Sequence, residues 1–229
     1  MQNSSEKTNT EKMNTTEKII NFVQKNRKGI FITIGILVFL FVGLVIFLYA
    51  SDSINKKAIA EVEELNVRFE ELGFFITDEY YADEINVLLR DLETFAQKNR
   101  GFAASRAWTI IANIHSIREE WPLAESAWLD AARLGAKTYL APIAFFNAAV
   151  ACEEQGKLEQ AIEFLQQSLS NNFEFPAAPR AQFSIGRLYE QLGNFPAATD
   201  AYRAVLINWP NMPVIQDLAR SRIIAIEIR

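Results

Sequence analysis

The sequence predicts an all-α protein in which one N-terminal transmembrane helix precedes an α-solenoid of about three helical-hairpin repeats with capping helices. Three observations lead to this prediction. Residues 30–50 form a stretch of 21 residues with 18 apolar side chains and no charge. A pattern of small and large apolar residues then recurs every 37 residues. The remaining apolar residues follow the spacing of amphipathic helices.

Charge and composition exclude several classes of function. Residues 1–50 carry six basic and three acidic side chains, a net charge of +3, whereas residues 51–229 carry 17 basic and 25 acidic ones, a net charge of −8. A nucleic-acid-binding protein would need a basic folded part. One Cys and one His rule out an intramolecular disulfide and make most catalytic or metal sites hard to assemble. We therefore predict no enzyme, cofactor, metal, nucleic acid or small-molecule substrate.

The apolar stretch predicts a transmembrane helix over residues 29–51. At 1.5 Å per residue, 21 residues span about 31 Å, close to the hydrocarbon core of a bilayer at roughly 30 Å. The alternative, a cleaved signal peptide, would have a shorter apolar region of about 7–15 residues and a cleavage site with small residues. More basic residues precede the stretch than follow it, which predicts a cytoplasmic N-terminus and an exported C-terminal domain.

The polar composition of the N-terminus predicts that residues 1–28 are a disordered cytoplasmic tail. Within it, the apolar residues between 19 and 23 are compatible with two arrangements. They lie either as a short amphipathic turn on the inner membrane surface or as an inward extension of the transmembrane helix.

Residues 52–101 are predicted to form a juxtamembrane helix and an N-terminal capping helix. Apolar residues at alternating spacings of four and three form a seam in the first of these: Ala58, Val62, Leu65, Phe69, Leu72 and Ile76. The seam fits either a coiled coil or packing against the first repeat, and its length of under three heptads favours packing. At the other end, residues 213–229 are predicted to be a C-terminal capping helix that buries Val214, Leu218 and several Ile on one side.

Residues 102–212 contain three copies of a 37-residue unit. The recurring positions include Ala104, Ala141 and Ala178; Ala107, Ala144 and Ala181; Ala124, Ala161 and Ala198; and Trp128, Leu165 and Tyr202. Each copy has the spacing of two helices, and Gly156 and Gly193 mark equivalent turns where the first copy has Glu119. Small residues such as Gly186 and Ala198 are expected where the helices cross.

With these residues, the sequence resembles the tetratricopeptide repeat (TPR) family. The motif is matched best in the third copy, by Ile185, Gly186, Tyr189, Gly193, Ala198, Tyr202 and Pro210. The period of 37 exceeds the usual 34 of the family. The resemblance implies a protein–protein interaction scaffold whose first helices line a concave groove for extended or helical peptides.

Transferred position by position, the resemblance implies which residues line this groove. They are Arg106, Asn113, Phe146, Val150, Arg180, Phe183, Arg187 and Glu190, together with Thr109 and Glu153. Phe146 and Phe183 either hold apolar side chains of a partner or pack against the preceding helix. Arg180 and Arg187 are expected to pair with carboxylates of the partner.

The single His and the single Cys, the side chains best suited to catalysis, share one repeat position with a Tyr. His115, Cys152 and Tyr189 are 37 residues apart, so we expect them to pack between helices. A reactive thiolate needs an electropositive, partly exposed setting that this position should lack.

The order of anchor, short helix and repeats is similar to that of bacterial inner-membrane TPR proteins that accompany the secretion translocon. It implies a scaffold in the bacterial cytoplasmic membrane with a periplasmic domain, accessory to secretion or envelope protein quality control. The alternatives are a structural component of an envelope machine, such as a motility or secretion assembly, a eukaryotic organelle receptor, or an enzyme with an unrecognised site.

Overall fold

A computed structural model describes residues 15–170 and 174–228, with side chains from residue 20 onward, and all the regular structure in these ranges is helical. The helices are α1 (Thr15–Leu72), α2 (Ala82–Lys98), α3 (Gly101–Ile117), α4 (Trp121–Leu134), α5 (Leu140–Glu154), α6 (Leu158–Leu169), α7 (Ala178–Gln191), α8 (Phe195–Asn208) and α9 (Pro213–Glu227). Two short 3₁₀ turns, Gly73–Phe75 and Glu79–Tyr81, join α1 to α2. The predicted all-α fold class is confirmed.

The chain divides into two compact units, Met1–Ile54 and Asn55–Arg229. The first unit holds the apolar part of α1, which is long and apolar enough to cross a membrane. The helix begins at Thr15, so the predicted disordered tail needs correction for residues 15–28, which extend the helix. Because a helix satisfies its own backbone hydrogen bonds, it can run through this polar segment into the apolar one. The predicted tail over residues 1–14 lies outside the described residues.

In the second unit, the seam of α1 packs against the N-terminal end of the repeats. Ala58, Val62 and Leu65 are buried in one cluster with residues of α2, α3 and α4. Two ion pairs accompany this packing: Arg68 Nη1 lies 2.7 Å from Asp91 Oδ2, and Arg106 Nε lies 3.5 Å from Glu63 Oε1. The structure therefore favours the packing interpretation of the seam over the coiled coil.

Three helical hairpins, α3–α4, α5–α6 and α7–α8, follow one another and contact mainly their sequence neighbours, as in a solenoid. The turn inside each hairpin has the same backbone conformation, with φ of 57° at Glu119, 72° at Gly156 and 73° at Gly193. The equivalence of Glu119 to the two glycines is thus confirmed, although a side chain at positive φ costs more than glycine.

The crossing of α7 and α8 requires a residue without a side chain. A Cβ atom at Gly186 would lie 2.6–2.9 Å from ring atoms of Tyr202, closer than carbon atoms can approach without displacement. Ala198, on α8, is completely buried. The expected role of these small residues at the helix crossings is confirmed.

The closing helix α9 differs from its prediction in one respect. Val214 and Leu218 were expected to be buried, but 76% and 49% of their surfaces are exposed. The side of α9 that packs on α8 instead carries Ala219, Ile223 and Ile226. Leu218 directly precedes Ala219, so its side chain points about 100° away around the helix and misses α8.

Candidate partner-binding groove

A pocket of about 390 Å³ lies where the first helix of the second hairpin, α5, meets that of the third, α7. It is lined by Phe146, Ala149, Val150, Glu153, Glu154, Leu165, Arg180, Ser184 and Arg187. Five of the ten residues predicted for the groove are brought together here: Phe146, Val150, Glu153, Arg180 and Arg187. We refer to this space as the α5–α7 pocket.

One wall of the α5–α7 pocket combines an aromatic ring with a cation. The guanidinium carbon of Arg180 lies 5.9 Å from the ring centroid of Phe146, within the range of a cation–π contact. Phe146 also packs edge-on against Phe175, with 5.8 Å between ring centroids. Arg180 is exposed, and no carboxylate of the described residues forms a salt bridge with it. This wall therefore presents a cation that can still bind an anion.

The other arginine of the pocket already has a partner. Arg187 donates two hydrogen bonds to the carboxylate of Glu153, one of them 2.6 Å from Nη2 to Oε2. These bonds raise the pKa of Arg187 above its usual range, against the opposing effect of partial burial. The pair joins α5 to α7 and neutralises Arg187 in place, so Arg180 is the pocket arginine that is not neutralised in this way, and the exposed Glu154 adds a carboxylate to the same lining.

Phe183 and Glu190, also predicted for the groove, lie outside the pocket. The ring of Phe183 packs on Tyr202, with 5.1 Å between centroids. The Glu190 carboxylate accepts a hydrogen bond of 2.7 Å from the Tyr202 hydroxyl and two of 2.8 Å from Arg222. Burial, followed by the bond to Glu190, raises the pKa of the Tyr202 hydroxyl. Both residues contribute to packing among α7, α8 and α9.

The groove positions of the first hairpin lie apart from the α5–α7 pocket as well. Arg106 pairs with Glu63 of α1, and Asn113 is half-buried on α3. Thr109 is buried, and its hydroxyl donates to the carbonyl oxygen of Ser105 at 2.9 Å. At this end of the solenoid, α1 takes up part of the surface that the first hairpin would otherwise present.

Leu165 lines the pocket although it is not among the groove residues predicted from the sequence. The three copies differ at its repeat position, and this difference was visible in the sequence. The other two copies have aromatic residues there. Tyr202 covers Gly186 with its ring, and the indole N–H of Trp128 donates to the Ser116 hydroxyl at 3.2 Å. Leu165 is shorter than either aromatic side chain. The pocket opens at the one copy of the three with an aliphatic residue at this position.

Cys152 is a packing residue, as predicted. It is fully buried, and burial, together with the neighbouring carboxylate of Glu125, raises the pKa of its thiol to about 12. Such a thiol is inert as a nucleophile at neutral pH. At the equivalent position of the first copy, Nδ1 of His115 lies 2.5 Å from a carboxylate oxygen of Glu120.

A solenoid of helical hairpins presents an extended surface of the kind that interaction scaffolds use. The tetratricopeptide repeat family model matches residues 111–172 and 165–213. Over these residues the hairpins therefore match tetratricopeptide repeats, a fold that typically serves as a non-enzymatic interaction scaffold.

Known proteins agree with this assignment. A TPR repeat-containing protein of Treponema pallidum (strain Nichols) is 37% identical over 145 residues, which cover 62% of this chain and 60% of that protein. The chain thus spans about three fifths of the length of this relative. Crystal structures of a Podosopora anserina putative kinesin light chain with nearly identical TPR-like repeats, and of a point variant of that protein, both superpose with a TM-score of 0.54. They cover 72% of this chain and 86% and 85% of theirs, at 13% and 12% identity, and share the fold.

Proposed function

We propose that this chain is a membrane-anchored scaffold whose C-terminal domain lies outside the cytoplasm and binds a peptide segment of another protein in the α5–α7 pocket. The observation that carries the proposal is the pocket itself. Its lining combines apolar side chains with the exposed cation of Arg180. Tetratricopeptide repeats generally bind proteins or peptides, and this pocket lies between first helices, where the family groove is expected.

The chemistry of the lining favours a particular kind of peptide. Phe146, Val150 and Leu165 offer contacts to one apolar side chain, and Arg180 offers a charge-assisted hydrogen bond to a carboxylate. Arg187 is already paired with Glu153. A carboxylate of the peptide is therefore attracted to Arg180 rather than equally to both arginines of the pocket. We expect a segment with an apolar residue next to an acidic side chain.

The N-terminal helix supports a membrane setting for the scaffold. Basic residues concentrate before the apolar stretch of α1, which favours a cytoplasmic N-terminus under the positive-inside rule. We place the chain in the bacterial cytoplasmic membrane with its repeats in the periplasm, accessory to secretion or to quality control of envelope proteins. A structural role in an envelope machine is the alternative.

Site-specific crosslinking in living cells tests the binding site. A photoreactive amino acid at Val150, an exposed pocket residue, should capture a partner, whereas the same group at Glu163, exposed on α6 outside the pocket, should not. Arg180→Glu should reduce capture from Val150 at least about tenfold, since it replaces attraction of a carboxylate by repulsion. Arg203→Glu, an exposed arginine on α8, is the matched control.

The result also separates the two functional settings. Translocon subunits or exported chains among the captured proteins favour the accessory role, and components of a motility or secretion machine favour the structural one. Equal capture from Val150 and Glu163, or no effect of Arg180→Glu, would contradict the assignment of the pocket.

The topology is tested by labelling added cysteines with a membrane-impermeant maleimide on intact spheroplasts. The native Cys152 is buried and does not interfere. Asp200→Cys, exposed on α8, should react, and Ser4→Cys should react only after the membrane is permeabilised. The reverse pattern would place the repeats in the cytoplasm.

A further inference from the structure

A second groove lies between the C-terminal part of α1 and helix α2. It consists of two spaces of about 380 Å³ and 340 Å³ that share Arg68 in their lining. The first space is lined by residues 61–68 of α1 and 91–98 of α2, and the second by residues 68–72 and 83–87. The two helices are therefore antiparallel along this space, which we call the α1–α2 groove.

The α1–α2 groove offers apolar surface to a partner. The apolar residues of its lining are Leu65, Leu72, Val87 and Phe95. The turn between the two helices adds two aromatic rings at one end, because Phe74 and Tyr80 are almost completely exposed. Aromatic residues are enriched in protein interfaces, and their ring faces attract cations.

The charged side chains of the α1–α2 groove are mostly acidic. The lining contains six carboxylates and two basic side chains, a net charge of −4. One pair is neutral within the groove, because Arg68 Nη1 lies 2.7 Å from Asp91 Oδ2. Lys98 is the remaining cation. The other five carboxylates, none of which forms a salt bridge with a described residue, are those of Glu61, Glu64, Glu71, Asp83 and Glu84.

The helix dipoles account for some of these carboxylates but not for all. Asp83 and Glu84 lie in the first turn of α2, where the positive end of the dipole stabilises a negative charge. Glu71 lies in the last turn of α1, where the dipole disfavours it, and that turn contains no basic residue. Glu61 and Glu64 lie away from both ends of α1. A cation from outside the chain can therefore relieve repulsion in this groove.

The arrangement of the carboxylates favours a basic peptide segment over a metal ion. In the part of the chain that the structure describes, no group of three or more acidic, His or Cys side chains is placed to hold a metal. The carboxylates of α1 instead extend over ten residues, or about 15 Å along the helix. A Lys or Arg side chain suits this lining, because its aliphatic part covers apolar surface while its charged end remains near carboxylates. Nucleic acids and anionic lipids are repelled by the same charges.

We propose that the α1–α2 groove binds a segment of a partner protein that contains both basic and apolar residues. The basic side chains lie between the unpaired carboxylates, and the apolar ones contact Leu72 and Val87. This inference goes beyond the proposed function and does not depend on it, because the α5–α7 pocket is lined by other helices and offers the cation of Arg180.

Fluorescence anisotropy with the full-length chain in a non-ionic detergent tests the proposal. The probe is a short fluorescein-labelled peptide of alternating arginine and leucine. It should bind more tightly than a peptide with glutamate in place of arginine or one with serine in place of leucine. Glu64→Gln together with Glu71→Gln should weaken binding at least about threefold, because two carboxylates lose their charge. The matched control is Glu159→Gln together with Glu163→Gln, two exposed carboxylates of α6.

Crosslinking locates the bound probe. A photoreactive amino acid at Val87 should capture the peptide, whereas the same group at Ile207, an exposed apolar residue of α8, should not. Thermal melting by circular dichroism should show that the variant with Gln at positions 64 and 71 is at least as stable as the wild type, since it removes repulsion. Equal weakening by the α6 variant, preference for the glutamate peptide, or capture from Val150 instead of Val87 would overturn the proposal.

Discussion

The junctions α5–α7 and α7–α9 each contain a glutamate–arginine ion pair, but the first has an open pocket beside the pair and the second is closed. In each, a glutamate at the same repeat position binds an arginine of the helix that follows the hairpin: Glu153 of α5 binds Arg187 of α7, and Glu190 of α7 binds Arg222 of the closing helix α9. The side chain of Glu153 is 25% exposed beside an open pocket, whereas that of Glu190 is 6% exposed and also bonded to a tyrosine. One repeat template therefore produces either a pocket or a closed junction.

The difference follows from two positions of the repeat. The second copy has Ala149 and Leu165 where the third has Gly186 and Tyr202. The tyrosine ring needs the glycine beneath it, and its hydroxyl reaches Glu190 at 2.7 Å. The shorter Leu165 has no hydroxyl to donate to Glu153, and the space next to Phe146 is open. A shorter side chain at one repeat position thus accompanies an open pocket.

The largest effect should come from filling the glycine position of the closed junction. Gly186→Ala places a methyl group 2.6–2.9 Å from the Tyr202 ring and should lower the free energy of unfolding by about 1–3 kcal/mol. Adding Tyr202→Leu to this variant recreates the Ala and Leu pair of the second copy. Tyr202→Leu should therefore lower the free energy of unfolding less in the Gly186→Ala variant than in the wild type. Urea unfolding followed by tryptophan fluorescence measures all four forms, and strictly additive costs would argue against the explanation.

A smaller difference should separate the two glutamates. Glu190→Gln removes the charge of a carboxylate that is 6% exposed and leaves the buried Tyr202 and the partly exposed Arg222 beside a neutral group, at a cost of about 1–3 kcal/mol. Glu153→Gln affects a pair whose side chains are both partly exposed, so its cost should stay within about 1 kcal/mol. Denaturant unfolding of the two variants compares them directly, and equal costs would show that burial does not distinguish the junctions.

A third junction, between α4 and α5–α6, predicts a dependence on pH. Glu125 accepts bonds of 2.8 Å from both Lys157 and Gln155. Burial alone would raise its pKa, but these bonds and the charge of Lys157 outweigh burial and lower it from 4.5. The resulting stabilisation is present above pH 4.5 and is lost as the pH falls through the folded-state pKa.

The stability difference between the wild type and Glu125→Gln should therefore shrink when urea unfolding is measured below pH 4.5. Lys157→Met should weaken the same dependence, since it removes the main cause of the lowered pKa. A difference that is constant from pH 7 to pH 3 would contradict the assignment.

The smallest expected signal is the reactivity of Cys152. Because burial raises the pKa of its thiol to about 12, Ellman's reagent at pH 8 should not modify the folded chain. In urea it should modify one thiol per chain, the number the sequence contains. Ready modification without denaturant would show that the second repeat opens locally and that the pocket beside it is not preformed.

Much of the fold was predictable because it depends on local spacing. The 37-residue period located the three hairpins, and the turn at Glu119 was found by its equivalence to Gly156 and Gly193. The burial of the α1 seam followed from apolar spacing alone. At α9 the same kind of reasoning was wrong for Val214 and Leu218, because this helix has apolar residues on two sides and spacing does not say which side meets α8.

The groove residues were harder to predict from the sequence than the fold. Family positions specify a face of the solenoid, but they do not specify which other side chains occupy that face. Phe146 and Phe183 hold one repeat position, yet the first lines a pocket and the second packs on Tyr202. Arg106 is paired with a residue 43 positions earlier, on α1. Such contacts depend on neighbours distant in sequence, which a periodic pattern does not describe.

By itself the sequence determined the helices, the repeat, the apolar N-terminal segment and the scarcity of catalytic residues, since each rests on composition or on periods of 3.6 and 37 residues. Only the tertiary structure decided which junction is open, which pocket arginine keeps its charge available and which side of α9 faces solvent. These properties depend on the sizes of side chains that meet across helices. The Leu at position 165 is visible in the sequence, but its consequence appears only when Ala149, Phe146 and Arg180 are seen around it.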